Sequence, residues 1–387
     1  MQQNKLNYFF SQPHQPFFVW GVLNAILCML LFLLSYKGIV VFDITPNLFH
    51  AYSLTFIVFT AFFQGFLLTT FPRFSQMPPL EQKIYTTNFT LLAVGTFLFF
   101  AGVFSFKIIL YLGMIILLAN QAYSLYVFYQ IYKGSPSSDK YDQFWILIAF
   151  LSGLISNILI ITATISQYLP LEEFGKQMGI YLYLLFVALS VAQRMIPFFS
   201  HVMIEKNRKL LRTIYILLAL GLITNLSPYP YGFVLFYVSG ILLAKEIYRW
   251  KLPFKKADPI LWILHLAIFW LPVGLLLGGI AELMGILMNQ NFIFITIHLV
   301  MLGFVTTVLI GFGTRVTLGH SGNMMVTDNQ TKMLFYMTQA VVYMRALYSF
   351  TGTSFLYDIA VALWLLLFIG WSIKYLPALA FGKKIKM

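Results

Sequence analysis

The chain has 387 residues, a single cysteine and little charge: 10% of it is Asp, Glu, Lys or Arg, and only 12 residues are acidic. Each shortage excludes something. Cys28 alone makes no intrachain disulfide, no four-cysteine zinc or iron–sulfur site and no two-cysteine haem attachment. Any haem in this chain is therefore held without thioether bonds. A soluble domain carries about 25% charged and about 45–50% apolar residues. With 60% apolar residues and so few charges, this chain cannot present a surface to water, and lipid is the solvent that remains. A glycine-rich phosphate loop is also missing, which argues against ATP-driven work in cis.

The apolar residues are gathered into runs long enough to cross a bilayer, which takes about 20 residues of helix. The runs cover 16–36, 48–71, 87–106, 108–132, 144–168, 178–199, 210–226, 228–247, 259–282, 291–313, 332–351 and 356–376. The expected fold is an all-α polytopic membrane helix bundle of about twelve transmembrane helices. It forms one transmembrane domain over residues 1–387 with no separate soluble domain. Lys5 precedes the first run and no small-residue cleavage site follows it, so that run reads as a membrane helix and not as a removable signal. Two divisions are thin. Only Ser105-Phe106-Lys107 separates the third and fourth runs, and Ser227-Pro228-Tyr229-Pro230 separates the seventh and eighth. No strong internal repeat is visible.

Charge gives the orientation. The 25 Lys and Arg residues against 12 acids leave a formal net charge of +13. They are scattered between apolar runs and do not form the continuous stripe of a nucleic-acid binder. With the N-terminus in the cytoplasm, 20 of the 25 fall on the inner side, Lys386 among them. Lys37, Lys107, Lys176 and Arg345 fall outside, and Arg194 lies within a span. This split satisfies the positive-inside rule and places both termini in the cytoplasm.

Ionisable residues inside a membrane are costly and mark candidate sites. The chain has six histidines. On the run boundaries His50 lies at the outer end of span 2, and His298 about 10 Å into span 10 from outside. His265 lies in the inner part of span 9, with His14, His201 and His320 near the inner surface. His298 and His320 are 22 residues apart, roughly 33 Å of helix, and could share a ligand only if the chain broke at Gly311-Phe312-Gly313 or Gly319. The spacing suggests two sites: an outer one with His50 and His298, and an inner one with His265 and His320, with His14 or His201 as a third ligand. Imidazole suits iron and copper alike. Trp262 and Phe269 flank His265 on one helix face. Arg194 and Arg315 must snorkel or pair with a carboxylate such as a haem propionate. Gln64, Asn120, Ser156 and Asn157 read as interhelical hydrogen bonds, and Gly274 with Gly278 as a close-packing motif. Met324-Met325 is a soft pair able to touch Cu(I).

Several segments together resemble the NnrS family of bacterial membrane proteins. They are Pro13-His14-Gln15-Pro16-Phe17-Phe18; Phe49-His50-Ala51-Tyr52; Arg194-Met195-Ile196-Pro197-Phe198-Phe199; Trp262 to Trp270; His298 to Gly303; and Thr314-Arg315-Val316-Thr317-Leu318-Gly319-His320-Ser321-Gly322. The resemblance implies a multi-pass protein of the bacterial inner membrane with b-type haem and copper. It also implies a link to nitric oxide stress in bacteria that respire nitrate or nitrite. It carries haem or copper ligation onto His50, His265, His298 and His320, and anion-binding roles onto Arg194 and Arg315. Many members read His-Ala-His-Glu-Met where this chain has His50-Ala51-Tyr52-Ser53-Leu54, which makes Tyr52 a candidate polar residue of the outer site.

The first reading is a metalloprotein that binds, turns over or protects against nitric oxide. As a reductase it would need electrons from quinol or a respiratory partner. A second is a twelve-span transporter of a metal, haem or small anion, against which stands the lack of a mid-membrane acid. A third is an assembly factor for a respiratory complex.

Overall fold

The computed structural model describes residues 8–227, 231–290, 292, 294–322 and 324–385. Lys5, Pro228-Tyr229-Pro230 and Lys386 lie outside the described residues. Among the described residues are twelve long helices. They are α1 (His14–Tyr36), α2 (Pro46–Phe74), α3 (Gln82–Val103), α4 (Lys107–Gly134), α5 (Tyr141–Ser166) and α6 (Leu169–Phe199). There follow α7 (Leu210–Thr224), α8 (Gly232–Arg249), α9 (Pro259–Met288), α10 (Ile295–His320), α11 (Asn329–Thr351) and α12 (Ser354–Phe381).

Each apolar run of the sequence coincides with one helix. Nine of the described helices are long and apolar enough to cross a membrane. The other three are α7, with 15 residues, α8, which ends in Lys245, Glu246 and Arg249, and the polar-rich α11. The largest boundary difference is α6, which begins at Leu169 and not at 178, because Pro170 suits the first turn of a helix.

The chain folds into two compact units. The first comprises Met1–Gly179, His320–Asn323 and Phe368–Lys386, and the second Ile180–Gly319 and Met324–Leu367. In the first, α3 and α4 form a tight antiparallel pair across the short Phe104-Ser105-Phe106 link. Glycines allow it: a Cβ on Gly102 would run into the backbone of Leu110, and one on Gly113 into the backbone of Phe99. Across these helices runs a buried amide web. Gln64 Nε2 donates to Asn120 Oδ1 (2.6 Å) and to Ser124 Oγ (2.9 Å). Asn120 Nδ2 donates to Asn88 Oδ1 (2.6 Å), and Asn88 Nδ2 to Ser124 Oγ (2.8 Å). The polar residues of the runs are thus interhelical bonds, as their type suggests. In the second unit, Gly278 and Gly274 of α9 lie against Thr296 and Val300 of α10.

In chain order the helices form three successive fours that the sequence does not display. In each four the second helix is distinctive. The most apolar windows of α2, α6 and α10 are 89%, 72% and 83% buried, against 39% to 61% for the other six spanning helices. Each contains a π-helical stretch: Leu54–Phe59, Gly179–Leu184 and Leu299–Thr306. Each also has an arginine near its C-terminal end: Arg73, Arg194 and Arg315. A π turn removes the normal i−4 partner of a carbonyl, and threonine hydroxyls replace it. Thr60 Oγ1 donates to Thr55 O (2.7 Å), Thr306 Oγ1 to Met301 O (2.8 Å) and Thr307 Oγ1 to Leu302 O (3.0 Å). Such stretches occur often at functional sites.

The α3–α4 pair gives a direct test. Gly102→Leu should lower stability by at least about 1–3 kcal/mol, the usual cost of overpacking, seen as a lower thermal midpoint in detergent. An unchanged midpoint would mean that the two backbones do not approach at Gly102.

Candidate histidine stations

In the first unit two distant segments of the chain meet. His14 opens α1 and is 2% exposed. His320 ends α10, and the two imidazole centroids lie 4.7 Å apart with planes at 47°. The charge of Arg73, at the C-terminal end of α2, acts on both rings. His14 Nδ1 has no hydrogen-bond partner among the described residues.

Nearer the start of α2, His50 stacks on Phe32 of α1 at 4.1 Å and 25°. Tyr52 is fully buried. Its hydroxyl donates to Asn157 Oδ1 (3.0 Å), and Asn157 Nδ2 donates to Gln121 Oε1 (2.9 Å). Its ring stacks on Phe99 at 5.0 Å. The phenol is thus a link in the polar packing of α2, α4 and α5.

In the second unit His265 has no exposed surface. Its Nε2 lies 2.7 Å from Ser200 Oγ, and its Nδ1 is without a partner among the described residues. Phe254 packs beside His265, and also touches Trp262 and Phe269, the flanking aromatics of the sequence motif. The Arg315 guanidinium lies 3.9 Å over the Phe199 ring, one residue before Ser200. Arg194 is half-buried in α6, three residues before Pro197. His201 is exposed, with a positive φ of 53°. Met325 packs its thioether over Gly319.

Helix α10 runs unbroken through Gly311-Phe312-Gly313 and Gly319. His298 sits in its first turn, nearer the helix end than the run boundaries imply. No break in the helix turns the chain back between His298 and His320. The Nδ1 of His298 lies 2.8 Å from Phe294 O. A carbonyl only accepts, so Nδ1 bears the proton and Nε2 is the nitrogen with a lone pair, the tautomer that suits metal ligation.

One pattern recurs. The end of the second helix of each four meets the start of the first helix of the next. Gln143 Nε2 of α5 donates to Phe74 O at the end of α2 (2.8 Å). His265 of α9 meets Ser200, just past α6. His14 of α1 meets His320, at the end of α10. Each station leaves a buried polar atom without a partner among the described residues: Gln143 Oε1, His265 Nδ1 and His14 Nδ1. Sequence reading gave His320 the partner His265, with His14 or His201 as a third ligand; within the first unit the neighbour of His320 is His14. Arg73 and Gln143 were not singled out at all. The adjacent Pro72-Arg73, echoing Arg194 before Pro197, was the available signal for Arg73.

Among the described residues no three His, Cys, Asp or Glu side chains gather as a metal cage. Two of the three stations offer imidazoles, two at His14 and His320 and one at His265, the donor set of a haem axial ligand or a sparsely ligated copper. A buried imidazole nitrogen without a partner costs about 1–3 kcal/mol, and a coordinated metal or cofactor would offset that cost. The residues therefore fit such groups.

These features define a polytopic membrane protein with histidine stations buried at the ends of its spanning helices. The chain belongs to the NnrS family: the family model described as "NnrS protein" matches residues 8–381, nearly its whole length. No curated protein matches the chain.

Tyr52→Phe isolates the bond to Asn157. It leaves Asn157 Oδ1 buried without its donor, and should cost about 1–3 kcal/mol as a lowered thermal midpoint. Full wild-type stability would show that Tyr52 serves by its ring alone.

Proposed function

We propose that this chain is a haem- and copper-carrying protein of the bacterial inner membrane that binds, turns over or protects against nitric oxide. The observation that supports it most is His265: fully buried in a spanning helix, with a nitrogen that finds no partner among the described residues, in a chain of the NnrS family. The reading takes all twelve helices as spans of one transmembrane domain with both termini cytoplasmic.

The proposed ligands of b-type haem and copper are His50, His265, His298 and His320, with His14 and His201 as additional candidates. His298 contributes a fixed tautomer through its bond to Phe294. Arg194 and Arg315 would meet haem propionates or another anion, and Phe199 holds the Arg315 guanidinium in place. When bound, haem iron and copper supply the orbitals that take up nitric oxide. Of these positions His14 and His265 are buried, within apolar helices, in a phase where a small neutral gas concentrates. If nitric oxide is reduced, quinol or a respiratory partner must deliver the electrons.

Optical and metal analysis of the purified protein tests the reading. The expected result is a Soret band, copper, and a shifted band on adding nitric oxide. Full haem and copper after replacing His50, His265, His298 and His320 together would remove the ligand assignment. Absence of both groups from protein made in a haem- and copper-replete host would remove the function. The topology has its own test: reporters fused to either end should both be active only in the cytoplasm. A periplasmic signal from one end would mean an odd number of spans.

A further inference from the structure

The two rings of the first-unit station are placed as ligands of one ion would be. Two imidazoles on a metal, with metal–nitrogen bonds of about 2.0–2.1 Å, have centroids about 4.5–6.4 Å apart as the angle at the metal opens from about 90° to 180°, and those of His14 and His320, at 4.7 Å, stand at the right-angle end of that range. Ring packing alone would account for the separation, but not for a nitrogen of His14 that is buried with no partner among the described residues. The same junction between helix ends occurs in the second unit, where His265 meets Ser200. There it provides a single imidazole and a hydroxyl. The repeat thus yields separate stations of different chemistry.

We infer that His14 and His320 together bind one transition-metal ion within the first unit, as a site of their own, and that it takes Cu(I) in preference to Zn(II). The inference rests on the reading of this chain as a metal carrier, and adds His14 as a ligand of equal standing with His320. Imidazole binds both metals, so charge and ligand number decide. Both donors are neutral, with no thiolate or carboxylate among the pair to balance the ion. A monovalent ion is penalised less than a divalent one. Zn(II) takes four ligands, and among the described residues no third His, Cys, Asp or Glu joins the pair.

The test uses the full chain in detergent, stripped of metal and titrated anaerobically with Cu(I) against a chromophoric Cu(I) chelator, and separately with Zn(II). A Cu(I) equivalent should be weakened in both His14→Ala and His320→Ala by at least about 10–100-fold, the cost of losing even a supporting residue of a metal site. Gln143→Leu, at the junction that holds no imidazole, should leave that equivalent in place. X-ray absorption of the wild-type Cu(I) protein should show two imidazoles, a measurement that needs no variant to fold. His14→Ala with wild-type affinity, equal loss in Gln143→Leu, or a copper shell without imidazole would overturn the inference. The earlier reading stands or falls apart from this one. A haem protein with a nitrosyl band whose copper ignores His14 retains that reading and rejects this site. A chain with the His14-dependent Cu(I) site but neither haem nor a nitrosyl band does the reverse.

Discussion

Lipid offers no hydrogen bonds, so every polar group within a spanning helix must find its partner inside the protein. Most of the architecture follows from this one constraint. The amide web of Gln64, Asn88, Asn120 and Ser124 exists because each of these side chains would be costly alone. The threonines at the π stretches take the carbonyls that the wider turn releases. Arg315 lies over Phe199, which gives its cation a π face in place of water. Among the described residues some buried side-chain atoms still lack a hydrogen-bond partner, Gln64 Oε1 of that web among them. Those of His14, His265 and Gln143 all fall where the end of one spanning helix meets the start of another.

The helices themselves were plain in the sequence, since a run of about twenty apolar residues can hardly be anything else in a membrane. Even the thin division at Ser105-Phe106-Lys107 was correct. The bond types of Gln64, Asn120 and Asn157 were also legible, because residue chemistry alone determines what a buried amide must do. The depth of His298 was not. The apolar run begins before the helix does, and composition does not register where the backbone starts to turn.

The pairing of His14 with His320 was beyond the sequence for another reason. The two residues are separated by most of the chain, and no local pattern ties the first residue of α1 to the last of α10. The π stretches compound the difficulty. Each rotates the following part of its helix by about one residue's worth, roughly 100°. Ordinary helical spacing therefore does not tell which residues on either side of the stretch in α10 share a face. The same shift helps to hide the three fours. They are alike in helix order, burial and backbone form, while their side chains have diverged.

That divergence is where chemistry enters. The fold provides the same junction three times, and the sequence furnishes each one differently: two imidazoles at His14 and His320, an imidazole and a hydroxyl at His265 and Ser200, and an amide on a backbone carbonyl at Gln143 and Phe74. An imidazole nitrogen offers a lone pair to a metal, whereas the amide of Gln143 is already committed to holding α5 against α2. The repeated fold thus explains where reactive groups can stand, and the side chains explain which of those places are reactive. A site-level argument for this chain must therefore rest on particular nitrogens and the residues around them, since the architecture alone treats the three junctions as equal.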